Sequence, residues 1–102
     1  MRRHIRVLGY IGDMYVILFY DAGEKRVCKI MKVCREYLVH VQNSVFEGEI
    51  TEANLVGLKQ RITQIIDKDY DSVIIYVFKF LDAKYVSRDI LGVEKVSTDF
   101  IY

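Results

Sequence analysis

Residues 14–26 read MYVILFYDAGEKR. Seven apolar or aromatic residues, Met14 to Tyr20, run without a break and stop at an acid, Asp21. The run is short and rich in β-branched and aromatic side chains, and it ends at a turn signal, Ala22–Gly23. Those features predict a strand buried on both faces rather than a helix. From Glu24 the pattern changes. Val27, Ile30, Met31, Cys34, Tyr37 and Leu38 recur at helical spacing, while Lys25, Arg26, Lys29, Lys32 and Arg35 take the other side. That is an amphipathic helix with a basic outer face.

Beyond the helix, Val39 to Phe46 alternates between Val39, Val41, Val45 on one side and His40, Gln42, Ser44 on the other. It reads as one half-exposed strand, followed by a turn at Glu47–Glu49 with Gly48 at its centre. Thr51 is placed to cap a second helix, with Glu52 favoured by the helix dipole in its first turn. Leu55, Leu58, Ile62, Ile65 and Ile66 form the apolar face of that helix, and DKDYD, residues 67–71, closes it. Residues 72–80 are a second dense apolar run. Residues 84–91 and 99–102 are weaker strand candidates. A β-α-β, α-β order with short terminal strands fits an α+β, ferredoxin-like βαββαβ sandwich. One sheet face would pack on the helices. The apolar groups of the two dense runs leave the other face in need of cover, and a second copy of the same sheet supplies it as a two-fold dimer.

The composition agrees. A chain of 102 residues fits one domain, with residues 1–13 as an N-terminal extension and residues 14–102 as the folded unit. A hydrophobic fraction of 52% is more than a lone small domain hides comfortably, again favouring an oligomer. Net charge is +1, so overall charge neither requires nor excludes nucleic acid. The distribution is uneven: up to Phe46 the basic residues are Arg2, Arg3, Arg6, Lys25, Arg26, Lys29, Lys32 and Arg35, against Asp13, Asp21, Glu24 and Glu36. The remainder is net acidic, so an anionic partner is expected at the first half. Cys28 and Cys34 fall on different faces of one helix, where they can neither pair nor share a metal; two thiols without a disulfide framework point to a reducing, cytoplasmic setting. The basic start MRRHIRVLGYIG resembles a signal peptide only superficially. Asp13 interrupts it, no small-residue cleavage site follows, and the apolar run is too short to cross a membrane as a helix.

Asp21 admits two readings. An acid before a helix is commonly a cap or turn residue. A carboxylate at a strand end can also be a catalytic group, because the strand aims it and the loop leaves room for substrate. In a two-fold dimer through the sheets, two copies of Asp21 can face each other, and a divalent cation relieves their repulsion. Mg²⁺ accepts one or two carboxylates and keeps several waters, one of which could attack a phosphodiester. The basic helix would then follow the nucleic-acid backbone, although a solvated helix face has the same pattern. His40 is a further candidate for a phosphate contact. No Ser/His/Asp set, Cys/His pair, zinc spacing or glycine-rich phosphate loop is present. The tyrosines fall in strand and helix patterns that favour packing over base stacking.

MYVILFYD, then KR, then EYLVHVQNSVFEGEIT, then DSVIIYVF resemble the small CRISPR-associated protein of the adaptation step, the companion of the CRISPR integrase. The resemblance covers Met14 to about Phe80, and VQNSVFEGE, residues 41–49, is its most specific part. It implies a ferredoxin-like homodimer whose last strand often pairs with the partner protomer. It implies a metal-dependent endonuclease activity on RNA or DNA in some members, with Mg²⁺ or Mn²⁺ held by the aspartate that ends the first strand, here Asp21. It implies a structural role too, in which the dimer bridges integrase dimers and holds DNA to be inserted as a new spacer, with Arg26 and its neighbours on the backbone. The chain departs from the pattern at Leu38, where many relatives have glycine, at His40, where many have arginine, and in the extension before Met14. Two alternatives stand beside the nuclease: a non-catalytic scaffold, and a toxin-like ribonuclease of the virulence-associated protein D group.

Overall fold

The first strand, β1 (Met14–Asp21), alternates in burial along its length. Met14, Val16, Leu18 and Tyr20 are buried, and Tyr15, Ile17 and Phe19 are half-buried. The computed structural model describes residues 14–79 and 86–94. Within them β1 is followed by α1 (Glu24–Tyr37), β2 (Val39–Gln42), β3 (Val45–Ile50), α2 (Glu52–Ile65), β4 (Ser72–Lys79) and β5 (Val86–Gly92). The strands form one sheet in the order β2-β3-β1-β4-β5, with every neighbouring pair antiparallel. This is the ferredoxin-like order, with a fifth strand added beyond β4. The two dense apolar runs, β1 and β4, lie side by side and away from the edges.

Both helices cover the same face. Ile30, Val33 and Cys34 of α1 and Leu55, Leu58 and Ile62 of α2 pack in one cluster with Val16, Leu18, Phe46, Val73, Ile75 and Val77 of the sheet. That is why β1 is not equally buried on its two sides. Strand alternation sends Tyr15, Ile17 and Phe19 to the face away from the helices. The register adds Ile74, Tyr76 and Phe78 from β4 and Ile90 from β5. Phe19 and Tyr76 meet there edge-to-face, with ring centroids 5.9 Å apart, a favoured aromatic geometry. No described helix covers this face.

The hairpin differs from the sequence reading. Residues 39–46 are not one strand. Asn43 turns the chain at φ 37°, a left-handed conformation that asparagine tolerates better than most residues. The chain then returns as β3, which carries Gly48 inside the strand opposite Val16 rather than at a turn. Alternation continues on both sides of so short a turn, so periodicity alone hides it. Thr51 does cap α2: its Oγ1 accepts the Asn54 N–H at 3.1 Å. The strand expected over 84–91 is present among the described residues as β5, which ends at Gly92; residues 84 and 85 lie outside them. The candidate strand at 99–102, the extension at 1–13 and the remainder of the tail lie outside the described residues.

Candidate functional site

The antiparallel pairing of β1 and β4 brings two acids to one end of the sheet. Asp21 ends β1 opposite Ser72, the first residue of β4, so Asp71 comes up beside the turn that follows Asp21. Their environments differ sharply. Asp21 is exposed, and strand alternation puts it on the face shared by Ile17 and Phe19, away from the helices. Asp71 is fully buried.

Asp71 is held by four donors. Its Oδ1 accepts the Gly23 N–H at 2.9 Å and Arg26 Nη2 at 3.0 Å. Its Oδ2 accepts the Asp67 N–H at 2.9 Å and Arg26 Nε. A paired, hydrogen-bonded carboxylate is the form in which a buried charge is tolerated. The Arg26 guanidinium holds the Asp71 carboxyl well below its ordinary range, burial opposes that shift, and the Asp67 and Gly23 amides reinforce it. Asp71 in turn raises the Arg26 pKa. Tyr70 lies against the same guanidinium, with its ring centroid 6.0 Å from Cζ.

This arrangement begins α1. Gly23 is the N-cap residue and has no side chain to satisfy the first turn. The Asp71 carboxylate stands in from 48 residues away, and its negative charge suits the positive end of the helix dipole. The backbone of Asp71 extends the junction to a third segment, since its carbonyl accepts the Val93 N–H at 2.9 Å. Gly92 stands close against it, at φ 85°. A Cβ there would fall 2.1 Å from the Asp71 carbonyl oxygen, so glycine is required on both counts.

The basic residues separate into two groups. Lys25, Lys29, Lys32 and Arg35 are exposed along the outer face of α1. Arg26 instead turns inward to Asp71. His40 is in the hairpin, outside β3. Its Nε2 lies 2.7 Å from the Asn43 carbonyl, which can only accept, so Nε2 carries the proton. Its ring stacks on Phe46 at 4.6 Å between centroids. The structure therefore gathers Asp21, Lys25 and Arg26 around one turn, continues the basic stripe along α1, and leaves His40 at the far side of the sheet. Among the described residues no three His, Cys, Asp or Glu side chains group as metal ligands. At this turn the Asp21 carboxylate is exposed, whereas the Asp71 carboxylate is buried and bonded to Gly23 and Arg26. Among the described residues, too, no helix is long and apolar enough to cross a membrane.

Sequence reasoning missed Asp71. DKDYD looks like a polar helix exit, and nothing local marks its last acid as buried. The available signal was topological: one acid ends the first apolar run, another precedes the second, and the fold makes those runs antiparallel neighbours.

Comparison with known proteins agrees with this fold. Residues 14–86 match the family described as CRISPR associated protein Cas2. The chain is 49% identical over 82 residues to the CRISPR-associated endoribonuclease Cas2 of Dictyoglomus turgidum, covering 80% of this chain and 92% of that protein. It is 48% identical over 101 residues to the protein of the same name from Methanocaldococcus jannaschii, covering 97% and 85%. A crystal structure of a Cas2 protein superposes with a TM-score of 0.62 at 43% identity, covering 82% of this chain and 98% of that one.

Proposed function

The chain belongs to the Cas2 family of CRISPR-associated proteins, and from that premise we propose that it works as a homodimer in CRISPR adaptation. In this reading the dimer bridges integrase dimers on the DNA that becomes a new spacer, and it carries a divalent-cation-dependent endonuclease activity centred on Asp21. The observation that carries the reading is the placement of Asp21. It is exposed at the end of the central strand, on the helix-free face, beside the start of a basic helix.

Each part has a physical basis. The face bearing Ile17, Phe19, Tyr76 and Phe78 is apolar and uncovered by either helix, which suits burial against a second copy. A two-fold axis through that face gives the site a carboxylate from each protomer. Two copies of Asp21 would then hold Mg²⁺ or Mn²⁺, ions that accept a pair of carboxylates and retain water. When bound, the ion supplies Lewis-acid activation of water for phosphodiester hydrolysis. The protein's own contribution is to aim Asp21 and to hold the nucleic-acid backbone with Lys25, Lys29, Lys32 and Arg35. Such contacts carry no base preference and do not distinguish RNA from DNA, although the curated relatives are named endoribonucleases.

A scaffold without catalysis is the second reading, favoured by the absence among the described residues of any three acidic, His or Cys side chains grouped as metal ligands. Spacer integration by the reconstituted complex with the cognate integrase separates the two. If Asp21→Asn still assembles but no longer integrates spacers, adaptation depends on the carboxylate. Full integration by that variant assigns the adaptation role to the scaffold.

A further inference from the structure

Among the described residues Asp71 is the only buried charged side chain, and the cleavage chemistry proposed for Asp21 makes no use of it. Its bonds are directed away from its own loop. One donor, the Asp67 N–H, is local. The other three, the Gly23 N–H and Arg26 Nε and Nη2, belong to the segment immediately after Asp21. An acid needed only to close the α2–β4 loop would not require an arginine 45 residues away.

The geometry gives those bonds a consequence. Asp21 is fixed on its N-terminal side by the strand pairing of β1 with β4. Two residues later Gly23 is fixed by Asp71, and two residues of chain span at most about 7 Å. The backbone around Asp21 is therefore pinned from both directions. Glycine at 23 also leaves room for the arginine, since a Cβ there would come within 2.5 Å of Arg26 Nη2.

We propose that Asp71 is a positioning residue: with Arg26 it locks the Ala22–Gly23 turn and so fixes where the Asp21 carboxylate is presented. Arg26 is accordingly a structural latch, and the phosphate contacts fall to Lys25, Lys29, Lys32 and Arg35. The inference rests on the reading of Asp21 as the cation-binding carboxylate.

The test uses the full chain with Asp71→Asn, which keeps the shape of the side chain and removes its charge. Three measurements are made: hydrogen exchange of the Gly23 and Leu18 amides, Mn²⁺-induced broadening of the Asp21 amide resonance, and Mg²⁺ dependence of RNA cleavage. Gly23 exchange should accelerate at least about tenfold more than that of Leu18. The Mn²⁺ and Mg²⁺ midpoints should both rise at least about tenfold, which converts to roughly 1.4 kcal/mol. Leu58→Ala, a core variant far from the turn in sequence, should lower the melting temperature and leave both midpoints in place. Arg26→Gln breaks the same latch from its half-exposed side, so it must reproduce the shift even if Asp71→Asn does not fold. Unchanged midpoints with a loosened Gly23 would overturn the positioning role, and equal acceleration at Gly23 and Leu18 would reduce Asp71 to a general folding residue. Failure of the underlying reading appears elsewhere. Asp21→Asn would then broaden and cleave like the natural chain, and the positioning claim would fall with it.

Discussion

Removing the exposed cations of α1 should flatten the salt dependence of nucleic-acid binding by an amount that can be worked out in advance. From Lys25 to Arg35 is ten residues, or about 15 Å of helix at 1.5 Å each. Phosphates recur about every 3.4 Å along one strand, so the stripe is long enough for about four. At 3.6 residues per turn, Lys25, Lys29 and Lys32 lie within roughly 60° of one another, and Arg35 lies about 60° further round. Each cation that neutralises a phosphate contributes about 0.9 to the slope of log K against log salt on duplex DNA. Replacing the first three with Gln should therefore make the slope shallower by about 2.7, and adding Arg35→Gln should bring the change to about 3.6. Between about 50 and 200 mM salt each contact accounts for roughly a 3.5-fold loss of affinity, so four account for roughly 150-fold. Arg26 is the internal control. Its charge is already satisfied by Asp71, so the double variant Arg26→Gln with Asp71→Asn should leave the slope close to that of the natural chain. The assay is fluorescence anisotropy on a labelled duplex without divalent ions. An unchanged slope after all four substitutions would refute the stripe as a phosphate track. A loss from the Arg26–Asp71 variant as large as that from Lys29→Gln would refute the division between free cations and latch.

Two further outcomes are expected. Ile17→Lys places a charge in the middle of the helix-free face, where the side chain is only half-buried; the monomer should stay folded by circular dichroism and the dimer should dissociate in sedimentation, whereas an intact dimer would move the interface elsewhere. The second concerns acid. Because folding depresses the Asp71 pKa below its ordinary 3.8, its contribution to stability is complete above about pH 4 and is lost as pH falls below that value. Urea midpoints at pH 6 and pH 3 should therefore separate more for the natural chain than for Asp71→Asn, and equal separations would contradict the buried pair.

How much of this was legible in the sequence depends on the range over which each signal acts. The β1 run, the two amphipathic helices and the Thr51 cap are local patterns, and they appear where the residues place them. The Asn43 turn was hidden because alternation continues on both sides of it. Asp21 stood out because it ends an apolar run, a contrast visible within ten residues. Asp71 carries an equal contrast with the β4 run, yet its role depends on Arg26 and Gly23, 45 and 48 residues away. The amphipathic pattern grouped Arg26 with its exposed neighbours, since a helical projection shows which side a residue faces and not which distant acid waits there. Burial on both faces of β1 was read from composition, while a single chain covers one face with helices and leaves the other to whatever meets it.

The most direct measurement of the central claim is RNA and DNA cleavage by the purified natural chain and by Asp21→Asn, across a Mg²⁺ and Mn²⁺ titration. Asp21 is exposed at the strand end, so its replacement should leave fold and dimer intact. Divalent-dependent cleavage should be abolished in the variant at every ion concentration. Undiminished cleavage by the pure variant would remove Asp21 from the chemistry and leave the protein as a scaffold.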